Sequence, residues 1–105
     1  MIQSNFMDDL TRILNYLITN KKRFKKEYHI IKIGVFGSIA RNEQNNKSDI
    51  DLIVEFEENT QNLFDLKEKI KQEFRNKFNR PVDICREKYI KPIFKEQILS
   101  QVHYA

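Results

Sequence analysis

One cysteine, Cys85, stands among the 105 residues, so no disulfide can close within the chain, and a reducing cytoplasm is the expected compartment. Two glycines and two prolines are too few for a Gly- or Pro-rich linker, and no repeat or low-complexity tract divides the sequence. A single domain over residues 1–105 is therefore expected, able to bury roughly two thirds of its unfolded surface, with no room for a second catalytic domain. No apolar run approaches the roughly 18 residues that a membrane span needs. Residues 1–9 also lack the basic start, apolar stretch and small-residue cleavage site of a secretory signal. Acidic residues are outnumbered, 15 against 19 Lys and Arg, for a net charge of +4. That excess suits a nucleotide, an RNA or an acidic protein partner and does not choose among them.

What is present centres on residues 36–56, FGSIARNEQNNKSDIDLIVEF, where a Gly-Ser pair is followed eleven residues after Ser38 by Asp49 and then Asp51. The β-branched run over residues 30–36 predicts a strand that hands over at Gly37-Ser38 to a short helix, Ser38 to about Arg41. Lacking a side chain, Gly37 lets the backbone N–H groups of such a turn approach a phosphate, and the Ser38 hydroxyl adds a donor. Residues 48–56 predict a second strand. Its alternation sets Asp49 and Asp51 on one side and Ile50, Leu52 and Val54 on the other. Two close carboxylates repel and resist burial, so the pair calls for a divalent cation; hard oxygen ligands suit magnesium, which completes its shell with water and substrate phosphate. A plain turn and a solvated strand end are the blander readings, but the strand patterns on both sides fit a nucleoside-triphosphate site. One turn into the short helix, Arg41 is placed to reach a phosphate or to fix the aspartates in a bidentate pair.

The remaining elements follow from periodicity. Ser4 or Asn5 can cap a first helix running to about Lys26, with Phe6, Leu10, Ile13, Leu14, Leu17, Ile18 and Phe24 inward and Met7 beside them. Lys21, Lys22, Arg23, Lys25 and Lys26 form a basic block near its end. They are read first as a solvated helix end that complements the helix dipole, with binding of RNA or of an acidic partner as the alternative. After the polar loop 42–47, in which Glu43 and Lys47 are expected to be solvated, Leu63, Leu66, Ile70, Phe74 and Phe78 mark an amphipathic helix over residues 62–78. Asn79-Arg80-Pro81 reads as a turn and residues 81–86 as a third strand, which a helix of crossover length places beside the second. Asp83, between Val82 and Ile84, is costly there unless it is ligated or hydrogen-bonded, and so becomes a third site carboxylate. Cys85 shares its face as a small packing residue. A last helix over residues 93–102 turns Phe94, Ile98, Leu99 and Val102 inward, and His29 and His103 lack metal-ligand spacing. The expected fold is a single α/β (α+β) domain in the order α-β-α-β-α-β-α, with a mixed three-stranded sheet, helices mainly on one face and the site on the other.

Gly37-Ser38-Ile39-Ala40-Arg41, then six residues, then Ser48-Asp49-Ile50-Asp51-Leu52, closely resembles the signature of the DNA polymerase β-like nucleotidyltransferase superfamily, and in particular its minimal nucleotidyltransferase branch. Pro81-Val82-Asp83-Ile84 is similar to the strand that carries the third acidic residue in that branch. One departure is visible: Asn42 stands where the family usually has Gly, and Asn tolerates the left-handed backbone that this position needs. The resemblance implies AMP transfer from ATP to a hydroxyl, with two Mg2+ ions held by Asp49, Asp51 and Asp83, and with Gly37, Ser38 and Arg41 on the nucleotide phosphates. It also implies an antitoxin whose acceptor is a tyrosine of a cognate HEPN-domain RNase toxin; no membrane partner is expected, and direct nucleic-acid binding is possible but not expected. A steric, non-catalytic antitoxin and a small-molecule transferase of the antibiotic-modifying kind are the alternatives.

Overall fold

The computed structural model describes residues 8–43 and 48–105. Ser4, Asn5, Phe6, Met7 and Lys47 lie outside the described residues. The first helical stretch is two helices, α1 (Asp9–Thr19) and α2 (Lys21–Tyr28). Asp8 caps α1, its side chain accepting from the Thr11 N–H at 2.7 Å. The break falls at Asn20, whose amide donates to the Tyr16 carbonyl at 2.9 Å and accepts from Arg23 Nε at 3.2 Å. Asn competes in this way with the helix backbone for its own partners, so the expectation of one unbroken helix to Lys26 is corrected. Ile18 is corrected too. At about 3.6 residues per turn it falls at the rim of the Leu10, Ile13, Leu14, Leu17 stripe, and it is 60% exposed.

After α2 comes β1 (Ile30–Phe36), then the short helix α3 (Gly37–Ala40), β2 (Ile50–Phe56), α4 (Leu63–Phe78), β3 (Val82–Cys85), a 3-10 turn (Glu87–Tyr89), α5 (Pro92–Ser100) and β4 (His103–Tyr104). β1 and β2 pair antiparallel, while α4 carries the chain over so that β3 pairs parallel with β2, as its length predicts. The sheet has four strands, in the order β3-β2-β1-β4, where three were expected. A two-residue strand shows no alternation to read. β4 lies against β1 at Gly34, where an added Cβ would stand 2.7 Å from Val102 Cγ1 and 2.9 Å from the His103 carbonyl oxygen.

Alternation sends Ile33 and Val35 of β1 and Ile50, Leu52, Val54 and Phe56 of β2 into one core with Ile13, Leu17 and Phe24 of α1 and α2 and Ile70 and Phe74 of α4. Burying Phe24 and Phe74 stabilises the fold by roughly 2 to 3 kcal/mol each. Three helices thus cover one face, as expected. A hydrogen-bonded knot ties them together: the hydroxyls of Tyr16 and Tyr28 and the guanidinium of Arg23 all donate to the Glu73 carboxylate of α4. α5 departs from expectation, since none of its residues is buried and Phe94 is half exposed, though Ile98, Leu99 and Val102 are partly covered. Among the described residues no helix is long and apolar enough to cross a membrane.

Candidate active site

The sheet face turned away from α1, α2 and α4 carries Asp51, Ile53 and Glu55 of β2 and Asp83 and Cys85 of β3, and of these Ile53 is buried. The parallel register aligns Asp51 directly with Asp83. Asp49 stands immediately before β2, exposed, while Ile50 next to it is fully buried. The structure therefore brings Asp51 and Asp83 side by side, with Asp49 one pleat away. Asp83 proves exposed at its strand rather than enclosed by Val82 and Ile84.

Gly37 closes the site from the β1 side. Its backbone adopts φ +78°, a left-handed conformation that L side chains rarely take, and an added Cβ would overlap the Asp51 carboxylate and lie 3.1 Å from its Cγ. The turn thus needs glycine for its own conformation and for the close approach of Asp51. Ser38 follows, part-exposed, in the first turn of α3, where N–H groups have no partner inside the helix. The turn ends at Asn42, whose φ of 58° is the left-handed value that its side chain permits.

Arg41 has other partners than those expected of it. Its Nε donates to Glu43 at 3.2 Å and its terminal nitrogen to Gln101 at 3.0 Å, fastening α3 to the end of α5, and no bidentate pair with the aspartates forms. Its charge is nevertheless felt at Asp51, which it helps to ionise. That help is outweighed. Burial first, then the neighbouring carboxylates of Asp83 and Asp49, push the Asp51 pKa up to about 6. Among the described residues none of the three aspartates enters an ion pair.

No three His, Cys, Asp or Glu side chains among the described residues are drawn into a closed metal cage. Asp51 and Asp83 form a pair with Asp49 adjacent. This oxygen-only set, holding one carboxylate that folding leaves reluctant to ionise, fits a hard divalent cation that takes one or two carboxylates and fills its shell with water and phosphate. Cys85 lies on the same face as Asp83, but burial, with Glu55 and Asp51 nearby, pushes its thiol up and makes it a poor nucleophile.

Sequence reasoning missed Arg80, which it took for part of a turn. Its guanidinium donates to the Ser48 carbonyl at 3.0 Å and to Asp9 of α1, so it fixes the backbone from which Asp49 projects. The signal was a cation beside a proline, directly before the third strand. Its two partners lie 32 and 71 residues away in sequence, which no local pattern reports.

Residues 19–103 match the family model described as polymerase beta, nucleotidyltransferase. A protein of Methanocaldococcus jannaschii, provisionally named a protein adenylyltransferase, is 48% identical over 52 residues, which is 50% of this chain and 53% of that protein. The chain thus aligns with about half the length of that relative. Among solved structures, one provisionally described as a minimal nucleotidyltransferase superposes with a TM-score of 0.72 at 27% identity, covering 95% of this chain and 98% of the other. A toxin-antitoxin crystallised with AMP-PNP shares the fold with a TM-score of 0.62 at 20% identity, over 91% of this chain and 71% of that one. The Gly-Ser turn, the aligned aspartates and the match over residues 19–103 agree, and the chain belongs to the polymerase β nucleotidyltransferase family.

Proposed function

We propose that this chain moves AMP from ATP to a hydroxyl acceptor, that the acceptor is a tyrosine of a cognate HEPN-domain RNase toxin in the cytoplasm, and that the chain is thereby its antitoxin. The observation that carries the reading is Asp51. It is half-buried, packed against the Gly37 turn, aligned with Asp83 and has its pKa raised to about 6, a carboxylate in no ion pair among the described residues beside a glycine turn. The adenylyltransferase name of the Methanocaldococcus relative supports AMP as the transferred group, and the like fold of the toxin-antitoxin structure supports the partner class.

Asp49 and Asp51 would hold a magnesium ion on the triphosphate, and Asp51 with Asp83 a second on the acceptor side. When bound, magnesium offsets phosphate charge and lowers the pKa of the acceptor hydroxyl. The protein's own groups do the rest. Asp83, exposed at the strand, takes the hydroxyl proton as the acceptor oxygen bonds to the α-phosphorus. The bond from that phosphorus to the bridging oxygen breaks, and pyrophosphate leaves with the electron pair. The first-turn N–H groups and hydroxyl of Gly37-Ser38 hold the departing phosphates, and Arg41, one turn along, adds charge there.

The test is stoichiometric. RNase activity of a candidate HEPN-domain toxin is titrated with the chain, with and without ATP and Mg2+. Substoichiometric silencing that requires ATP, with AMP found on a toxin tyrosine by mass spectrometry, is the expected result. One-to-one neutralisation indifferent to ATP would establish steric silencing instead.

A further inference from the structure

The basic block of α2 is not used by the site, and the fold divides it. Arg23 turns inward to Glu73, whereas Lys21, Lys22, Lys25 and Lys26 form no ion pair among the described residues. Lys21, Lys22 and Lys25 line a cavity of about 370 Å³ whose other wall is the start of β1, residues 30–33. A second cavity of about 400 Å³ continues past Lys22 and Lys25 to Lys26, His29 and Glu57. Two further features meet there. β4 covers β1 only at Gly34 and Val35, and Ala105 donates to the Ile33 carbonyl at 3.0 Å, so among the described residues no strand pairs with the outer edge over residues 30–32. Ile31, at the bulge of β1, is 54% exposed on that edge.

We propose that this groove binds an extended acidic segment of a protein partner, added as a short strand along the outer edge of β1 with its carboxylates on the lysine row and one apolar side chain against Ile31. An open edge offers backbone donors and acceptors to an incoming strand. The lysines and the bulge are features that guard edges against pairing with a second copy, since the copy would bring lysine against lysine. An acidic segment reverses that repulsion. Single-stranded nucleic acid fits less well, because its bases need aromatic platforms and no aromatic side chain lines the first cavity. From residue 31 to Phe36 the strand runs roughly 17 Å at about 3.3 Å per residue, so the groove would tether a partner beside the Gly37 turn without entering it.

Fluorescence anisotropy with an alternating glutamate-valine peptide tests this on the full chain. The peptide should bind, and Lys22→Glu with Lys25→Glu should weaken it roughly tenfold or more at unchanged melting temperature and unchanged ATP affinity. N-methylation of alternate peptide nitrogens, which keeps every charge and removes the strand's donors, should weaken binding comparably. No binding of the peptide, equal affinity for the N-methylated peptide, or preferential binding of oligouridylate would each overturn the proposal.

Discussion

Two carboxylates of this domain sit at similar depth and meet opposite fates. Glu73, on the helix-covered face, receives hydrogen bonds from Arg23, Tyr16 and Tyr28, and although burial opposes it, those donors hold its pKa below the usual glutamate range. Asp51, on the open face, is buried to a comparable degree but faces Asp83 and Asp49, and its pKa is pushed up to about 6. Burial alone cannot distinguish a structural carboxylate from a site carboxylate; the company it keeps does. The tyrosines around Glu73 report the same contrast, each pushed up to about 12, first by burial and then by the carboxylate that they serve.

Breaking the comparison at the open face gives the largest effects. Asp51→Asn or Asp49→Asn should take labelled AMP transfer below detection while the chain stays folded, because each removes a proposed cation ligand and relieves repulsion; undiminished labelling in both would remove the metal assignment. Asp83→Asn should leave ATP affinity by calorimetry largely in place and cut single-turnover transfer by about 10² to 10⁴-fold, and affinity and rate falling together would reassign Asp83. The complementary change on the covered face, Glu73→Gln, should keep transfer per folded molecule but destabilise the domain by roughly 2 kcal/mol, discounted for the partial exposure of Arg23. Chemical denaturation measures it.

The smallest effect has the sharpest sign. Because the folded pKa of Glu73 is lowered, its stabilisation is present above the ordinary glutamate range and lost as pH falls through the lowered value. The raised pKa of Asp51 works in reverse: its penalty is absent below about 4, grows as pH rises and is complete above about 6. In metal-free buffer Asp51→Asn should therefore stabilise the chain at pH 7 by about 1 kcal/mol, after discounting for partial exposure, with the gain fading by about pH 4. Melting curves across that range check it.

The sequence carried the open face well, because its logic is local. Gly37, Ser38, Asp49 and Asp51 lie within a single strand-turn-strand, and strand alternation alone put the two aspartates opposite Ile50, Leu52 and Val54. Asp83 needed one inference over distance, that a helix the length of α4 makes a parallel crossover; its alignment with Asp51 is a matter of register that helix length does not set. What stayed illegible depends on side chains meeting across the fold. The Glu73 knot joins residues 45 to 57 positions apart, Arg80 reaches both Ser48 and Asp9, and Arg41 turns to Gln101 rather than to the aspartates. Asn20 was readable in principle as a helix breaker, but the apolar stripe on both sides of it masked the break. β4 was too short to have a period.

The central claim, that Asp51 is left unpaired so that a cation and a nucleotide can complete it, is tested most directly without any acceptor, by melting wild type and Asp51→Asn at pH 7.5 with Mg2+ and a non-hydrolysable ATP analogue. Ligand binding to the folded state stabilises it by RT ln(1 + [L]/Kd) and so raises the melting temperature. Wild type should start lower and rise with both ligands together, while Asp51→Asn starts higher and gains little; equal ligand-induced shifts in the two proteins would contradict the account.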